Sequence, residues 1–241
     1  MKRKKTEVNE LLEGLNPYKL LGDLGHAASL ERLGPKVFER ILWKGPQDGS
    51  KIALTFDDGP HELSTPALLD TLAAHDTPAT FFTVGKHLEN HPDIARQIAA
   101  AGHEIGNHTY SHALLSLLSR GQIRKEIKKA EEILSGLLGL TPKYLRPPNG
   151  LVSRRVLDIA EDMGYRVVIG DVYPRDPHRP GTARIVSRIL SRCESGSIII
   201  LHDGGNTRRV DRSQTVAAVE RLIPILEEKG FRFVTLSGLL D

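Results

Sequence analysis

The sequence predicts an α/β fold on a parallel sheet. Three observations carry this: from Lys51 onward short apolar runs alternate with longer amphipathic ones, several amphipathic runs stop at glycine, and titratable residues recur directly after the apolar runs. Seven such alternations in a 241-residue chain that is 39% hydrophobic fit one sizeable core. Either a barrel or an open doubly wound sheet satisfies the pattern, and in both the chemistry sits at the carboxyl ends of the strands.

Residues 1–50 read as a helical N-terminal extension, with two or three short helices over residues 6–45 broken at Gly14, Gly25 and Gly34-Pro35. No cluster of reactive groups falls there. Residues 51–241 form the expected catalytic domain. Its apolar runs predict strands at Ile52 to Phe56, Thr80 to Val84, Glu104 to Gly106, Lys143 to Leu145, Arg166 to Ile169, Ser197 to Leu201 and Phe231 to Thr235. Between them the helical period recurs at Pro66 to Ala74, Asp93 to Ala101, Gln122 to Leu138, Ser153 to Met163, Thr182 to Cys193 and Thr215 to Lys229.

Composition excludes several classes. The net charge is +3, but Lys2, Arg3, Lys4 and Lys5 alone outweigh it, so the remainder is slightly acidic and shows no nucleic-acid footprint. Cys193 is the single cysteine, which removes internal disulfides and cysteine-based zinc clusters and suits a small, at least half-buried side chain. No apolar stretch nears the roughly 20 residues of a membrane span. The basic residues after Met1 run into Thr6-Glu7-Val8-Asn9-Glu10 where an export signal would be apolar, so the sequence as written suggests a cytoplasmic location and leaves export open. A phosphate-cradling glycine loop and a G-x-S-x-G nucleophile elbow are both missing.

The polar residues after the strands are the informative ones. Asp57-Asp58-Gly59-Pro60 follows the first strand, His108 and His112 the third, Arg146-Pro147-Pro148-Asn149-Gly150 the fourth, Asp171 to Asp176 the fifth and His202-Asp203-Gly204 the sixth. Two histidines four apart are by themselves a common surface pattern; a hard oxygen ligand from elsewhere turns them into a metal grip. Adjacent carboxylates repel when both are ionised and need a positive partner. A cation held by His108, His112 and one Asp supplies it and leaves a position for water, whose pKa zinc lowers to about 7. The other Asp is then a base, though composition does not say which Asp has which part. His202 is a candidate general acid that Asp176 could orient and raise in pKa, and Arg146 could pair with the base carboxylate. His61, just past the carboxylate pair, is the histidine outside this set with the best claim to a role.

With those residues placed, the chain resembles the polysaccharide deacetylases of carbohydrate esterase family four over roughly Lys51 to Asp241. Thr55-Phe56-Asp57-Asp58-Gly59-Pro60 matches the family's first motif and His108-Thr109-Tyr110-Ser111-His112 its second; Arg146-Pro147-Pro148-Asn149-Gly150 matches the third in part and Ile200-Leu201-His202 the fifth. The resemblance implies a distorted (β/α) barrel of seven or eight parallel strands. It implies one divalent metal ion, zinc foremost with cobalt, manganese and nickel as alternatives, held by Asp58, His108 and His112. It implies Asp57 as base oriented by Arg146, and His202 as the acid tuned by Asp176. The family's oxyanion donor, a backbone N–H of the third motif, falls at Asn149 beside Pro148. The chain departs from the pattern where aromatic residues usually line the sugar groove: Asn149 and Pro177 stand in place of aromatics, and Tyr173 in place of an acidic residue.

The expected function is hydrolysis of an N-acetyl group on an aminosugar oligo- or polysaccharide, with an acetylated glycan as the partner. An O-acetyl esterase on the same centre, a non-catalytic carbohydrate-binding domain and a non-haem iron oxygenase are the alternatives. The second Asp and the strand-helix alternation disfavour the last.

Overall fold

The computed structural model describes residues 39–47, 49–205 and 210–241. The expected helices over residues 6–38 lie outside the described residues. Eight parallel strands form one sheet: β1 (Ile41–Leu42), β2 (Lys51–Asp57), β3 (Thr80–Thr83), β4 (Glu104–Asn107), β5 (Tyr144–Leu145), β6 (Arg166–Val168), β7 (Ile198–His202) and β8 (Arg232–Val234). Their order is β1-β6-β5-β4-β3-β2-β7, with β8 also on β2. All seven expected strands are present. The eighth, β1, was not foreseen: Ile41 and Leu42 pair with Val167 and Val168, inside the stretch expected to be a helical extension. Two residues are too few for a period to register.

The sheet curls. Alternate residues of a strand face opposite sides, and the two faces of β2 go to different clusters: Ile52, Leu54 and Phe56 pack outward with helix residues such as Leu68, Leu72, Ile98 and Leu222, whereas Ala53 packs inward with Leu42, Phe82, Tyr144, Val168 and Ile198. An inner cluster drawn from six strands requires a surface bent round on itself. Beyond β6, Val172 pairs with Ile199 of β7, which brings the far edge back toward the near one. This is the distorted (β/α) barrel.

The outer layer consists of α1 (Ser64–Ala74), α2 (Gly85–Asn90), α3 (Pro92–Ala100), α4 (Arg120–Leu138), α5 (Arg154–Asp162), α6 (Thr182–Leu190), α7 (Ser213–Glu228) and α8 (Leu236–Leu240). Their local signals are the usual ones. The Ser119 hydroxyl and the Gln122 side chain form a reciprocal capping box at the start of α4, and Gly139 ends it in the left-handed conformation. The inner-facing side of α7 carries Ala218, Val219, Leu222, Ile223 and Leu226. Cys193 packs at the edge of the outer cluster, where burial pushes its thiol up to about 12, so it behaves as a small apolar group. Among the described residues no helix is long and apolar enough to cross a membrane.

One expected rim residue lies elsewhere. Asp171 accepts hydrogen bonds from Ile198 N and Ser197 Oγ at the amino end of β7, opposite the carboxyl ends. The chain after β6 first drops to that end and climbs back along β7, so it reaches the rim only at Tyr173 to Asp176.

Candidate active site

The inward rows of the strands end in the reactive groups. On β2 the row Ala53, Thr55, Asp57 closes with a carboxylate; on β7 the row Ile198, Ile200, His202 closes with an imidazole; and Asp57 is the register partner of His202. The next inward positions after β4 and β5 are His108 and Arg146. Period-two alternation alone therefore delivers four polar side chains to one mouth. That mouth opens into a cavity of about 440 Å³, lined by residues that include Asp57, Asp58, His108, His112, Asn149, Tyr173, Pro177 and His202. Pro148 is buried and does not line it.

Asp58, His108 and His112 each offer one ligand atom, all within 4.8 Å of one another. His108 Nε2 is 3.3 Å and His112 Nε2 is 3.0 Å from Asp58 Oδ1, close to the edge of about 3.3 Å that tetrahedral coordination at zinc distances requires. The His108 Nδ1–H donates to the Arg146 carbonyl at 2.6 Å, which leaves a lone pair on Nε2 in the neutral ring. Asp58 Oδ1 is buried without a hydrogen-bond partner. A lone pair pointed at an unpartnered carboxylate oxygen repels it; a cation between them resolves the contact, so the three residues fit a divalent metal. Burial raises the Asp58 carboxyl, but His108 and His112 override this and hold it well below the usual carboxylate range. Asp58, Thr109, His112 and Asn149 all have positive φ (74°, 69°, 58° and 56°), a concentration of backbone strain that marks functional loops.

The loop that carries the histidines is held from behind. Asn107 Oδ1 accepts from Thr109 N at 2.8 Å, and its Nδ2 donates to the Ile127 carbonyl and to the Tyr165 hydroxyl, which donates to Glu131. On the other side the His87 Nδ1–H donates to the Asp58 carbonyl at 2.7 Å. Gly204 lies against the same carbonyl: a Cβ at 204 would stand 2.0 Å from the Asp58 oxygen. Asp203 is fully buried with its Oδ2 accepting from Thr65 Oγ1, and burial pushes its carboxyl up to about 7.

Asp57 is a few ångströms away but differently bound. Arg146 Nη1 reaches Asp57 Oδ1 at 2.5 Å and Thr55 Oγ1 at 2.8 Å, with its guanidinium 4.1 Å over the Phe82 ring. Arg146 is wholly buried, so this is a desolvated pair and not a surface one. His202 faces Asp176 through Nδ1 to Oδ1 at 3.0 Å, while its backbone N–H and the Thr215 hydroxyl bind Oδ2. Burial opposes a charge on His202, but the charge and hydrogen bond of Asp176, helped by Asp58 and Asp57, raise it to about 9. The Tyr173 ring meets His202 edge-on, centroids 6.0 Å apart. No hydrogen bond from the Asn149 N–H is present among the described residues, and that residue sits on the cavity wall.

Of the residues singled out in the sequence, Asp57, Asp58, His108, His112, Asn149, Tyr173, Pro177 and His202 line one mouth and Arg146 and Asp176 pair with Asp57 and His202 behind it, whereas Asp171, Pro148 and His61 do not line it. His61 is buried beside Ser64 and does not line the cavity. His87, the Asn107 side chain, Thr215 and Arg212 were missed. Each is the partner of a site residue across a gap in sequence, which no spacing rule exposes; only Asn107, adjoining His108, carried a local signal.

The comparisons agree with this geometry. The polysaccharide deacetylase family model matches residues 44–168. A peptidoglycan-N-acetylglucosamine deacetylase of Bacillus cereus is 39% identical over 202 residues, covering 83% of this chain and 92% of that protein. A chitooligosaccharide deacetylase of Sinorhizobium fredii is 40% identical over 196 residues, covering 77% and 91%. Among solved structures, a peptidoglycan N-acetylglucosamine deacetylase in complex with 4-naphthalen-1-yl-N-oxidanyl-benzamide superposes with a TM-score of 0.80 at 37% identity, covering 83% of this chain and 92% of that one.

Proposed function

This chain belongs to the polysaccharide deacetylase family, and on that premise we propose that it removes N-acetyl groups from an aminosugar oligo- or polysaccharide, releasing acetate, with zinc as its metal. The observation that supports this most is the division of labour between adjacent carboxylates: Asp58 turns to the two histidines and Asp57 to Arg146. Asp58, His108 and His112 would hold the metal, which would lower the pKa of the attacking water.

The chain's own groups account for the rest. Asp57, oriented by Arg146, accepts the proton of the attacking water. The Asn149 N–H, on the cavity wall, donates to the oxygen that gains charge as the amide carbonyl becomes tetrahedral; one such donor is worth about 3 to 4 kcal/mol. His202, kept protonated at neutral pH by Asp176, gives its proton to the departing amine, without which a poor leaving group would not leave.

The test is acetate release from acetylated oligosaccharides with and without chelator, together with Asp57→Asn. That variant should bind one equivalent of zinc and release no acetate. Turnover comparable to wild type in Asp57→Asn, or activity indifferent to chelator, refutes the assignment. An O-acetyl ester remains the second reading, because Asn149 and Pro177 on the cavity wall leave Tyr173 as its aromatic contact besides histidines; product analysis on acetylated xylan against chitooligosaccharides separates the two.

A further inference from the structure

Besides the metal triad and Asp57, the cavity is lined by Gly205 and by Val210, Asp211 and Arg212. Arg212, directly before α7, is only 9% exposed. Its Nε donates to the Gly204 carbonyl at 2.8 Å, which fixes the guanidinium plane. Among the described residues neither Nη makes a hydrogen bond and no carboxylate lies within ion-pair distance. The acid beside it in sequence is engaged elsewhere: Asp211 pairs with Arg179 at 2.6 Å and accepts from Ser213 N.

A guanidinium set in a cavity wall with no carboxylate beside it leaves its charge to be met by cavity water or by a ligand. Arg146 shows the alternative in the same molecule, for its Nε and Nη2 are sealed from solvent and its charge is met by Asp57. The Arg212 nitrogens are not sealed in this way. Gly205 also leaves the guanidinium room, since a Cβ there would lie 3.1 Å from Nη2 and 2.8 Å from the Val210 side chain. Asp57 and Asp211 are already paired, Asp58 faces the histidines and His202 has Asp176, so among the described residues Arg212 is the guanidinium of this cavity wall that no carboxylate meets. Two parallel Nη–H groups in one plane match the two oxygens of a carboxylate.

We propose that Arg212 is a specificity-determining residue that binds a carboxylate on the substrate, so that the preferred glycan carries a carboxylate-bearing sugar next to the acetamido group, as the lactyl ether of peptidoglycan does, and is not a neutral chitin-type chain. This rests on the reading of the substrate as an acetylated glycan and narrows it.

The test compares two tetrasaccharides of equal length, neutral N-acetylchitotetraose and a peptidoglycan tetrasaccharide with free lactyl carboxylates. Binding is measured calorimetrically on zinc-loaded Asp57→Asn protein, with and without Arg212→Gln, so that no turnover intervenes. The anionic ligand should bind about 10- to 100-fold more tightly, the value of a charge-assisted contact, and Arg212→Gln should erase that preference. Arg212→Lys should keep part of it, and high salt should reduce it. Equal affinity for the two ligands in the Arg212 protein, or an equal loss for both in Arg212→Gln, overturns the proposal and leaves the residue as a loop anchor. Should the binding preference hold while the wild-type enzyme releases acetate from neither glycan, the deacetylase reading fails and the carboxylate site stands.

Discussion

Replacing Asp176 by Asn removes the charge from the His202 pair; the amide oxygen can still accept from Nδ1, at the cost of turning the amide NH2 toward the His202 backbone N–H and the Thr215 hydroxyl that Oδ2 now serves. In the wild type the ring is raised from 6.5 to about 9, with Asp176 as the foremost cause after burial, which acts the other way. That difference is about 3 kcal/mol in favour of the imidazolium. Without Asp176 burial dominates, and the ring should titrate near or below 6.5. The alkaline limb of kcat/KM reports this group if it is the proton donor, so the limb should move down by at least two pH units. Each unit above the new pKa costs about tenfold in protonated enzyme, making the variant roughly 100-fold slower at pH 8.5 while near wild type at pH 5.5. Stability follows with a fixed sign: a group whose pKa is raised on folding adds stability below its unfolded value and loses it as pH climbs through the folded one. Wild-type Tm should therefore fall between pH 6.5 and 9 by more than that of Asp176→Asn. A profile of unchanged shape, merely scaled down, would refute the donor role of His202 and leave Asp176 a structural prop.

Two other perturbations test the frame of the site. Arg146→Met strands the buried Asp57 carboxylate and should cost about 3 to 5 kcal/mol in urea unfolding, with acetate release lost; a cost under 1 kcal/mol would mean Asp57 draws its stabilisation from elsewhere. Gly204→Ala drives a methyl to 2.0 Å from the Asp58 carbonyl, backbone against backbone, so about 1 to 3 kcal/mol of stability and a measurable share of zinc affinity should go together; unaltered zinc titration would show that the ligand loop shifts freely.

Much of the fold was legible because it is periodic. Seven of eight strands and six of the helices announce themselves as apolar runs or amphipathic faces, and the inward rows on β2 and β7 carry the pattern to Asp57 and His202. What stayed hidden has no period. β1 is two residues long, α2 is a six-residue helix, and the excursion that takes Asp171 to the wrong end of β7 depends on a reversal that no residue spacing encodes. At the site, residue types gave the metal grip, but partners across the fold did not show: Arg212 reads in sequence as one more surface base after Asp211, and only its burial against Gly204 separates it from the others.

β2 is bordered by three strands, with β3 along its last residues and β8 along its first on one edge, and β7 along the other. The three candidate metal ligands are all in place by residue 112, yet the strand that ends at Asp57 gains its second edge only when residues 198–202 have been made, and its remaining pairing only at residues 232–234. A growing chain thus carries those side chains through about 90 further residues of synthesis before the strand that closes the wall beside Asp57 is made. A chain cut short before residues 198–202 would carry the sequence motifs of the site without the strand edge that aligns them.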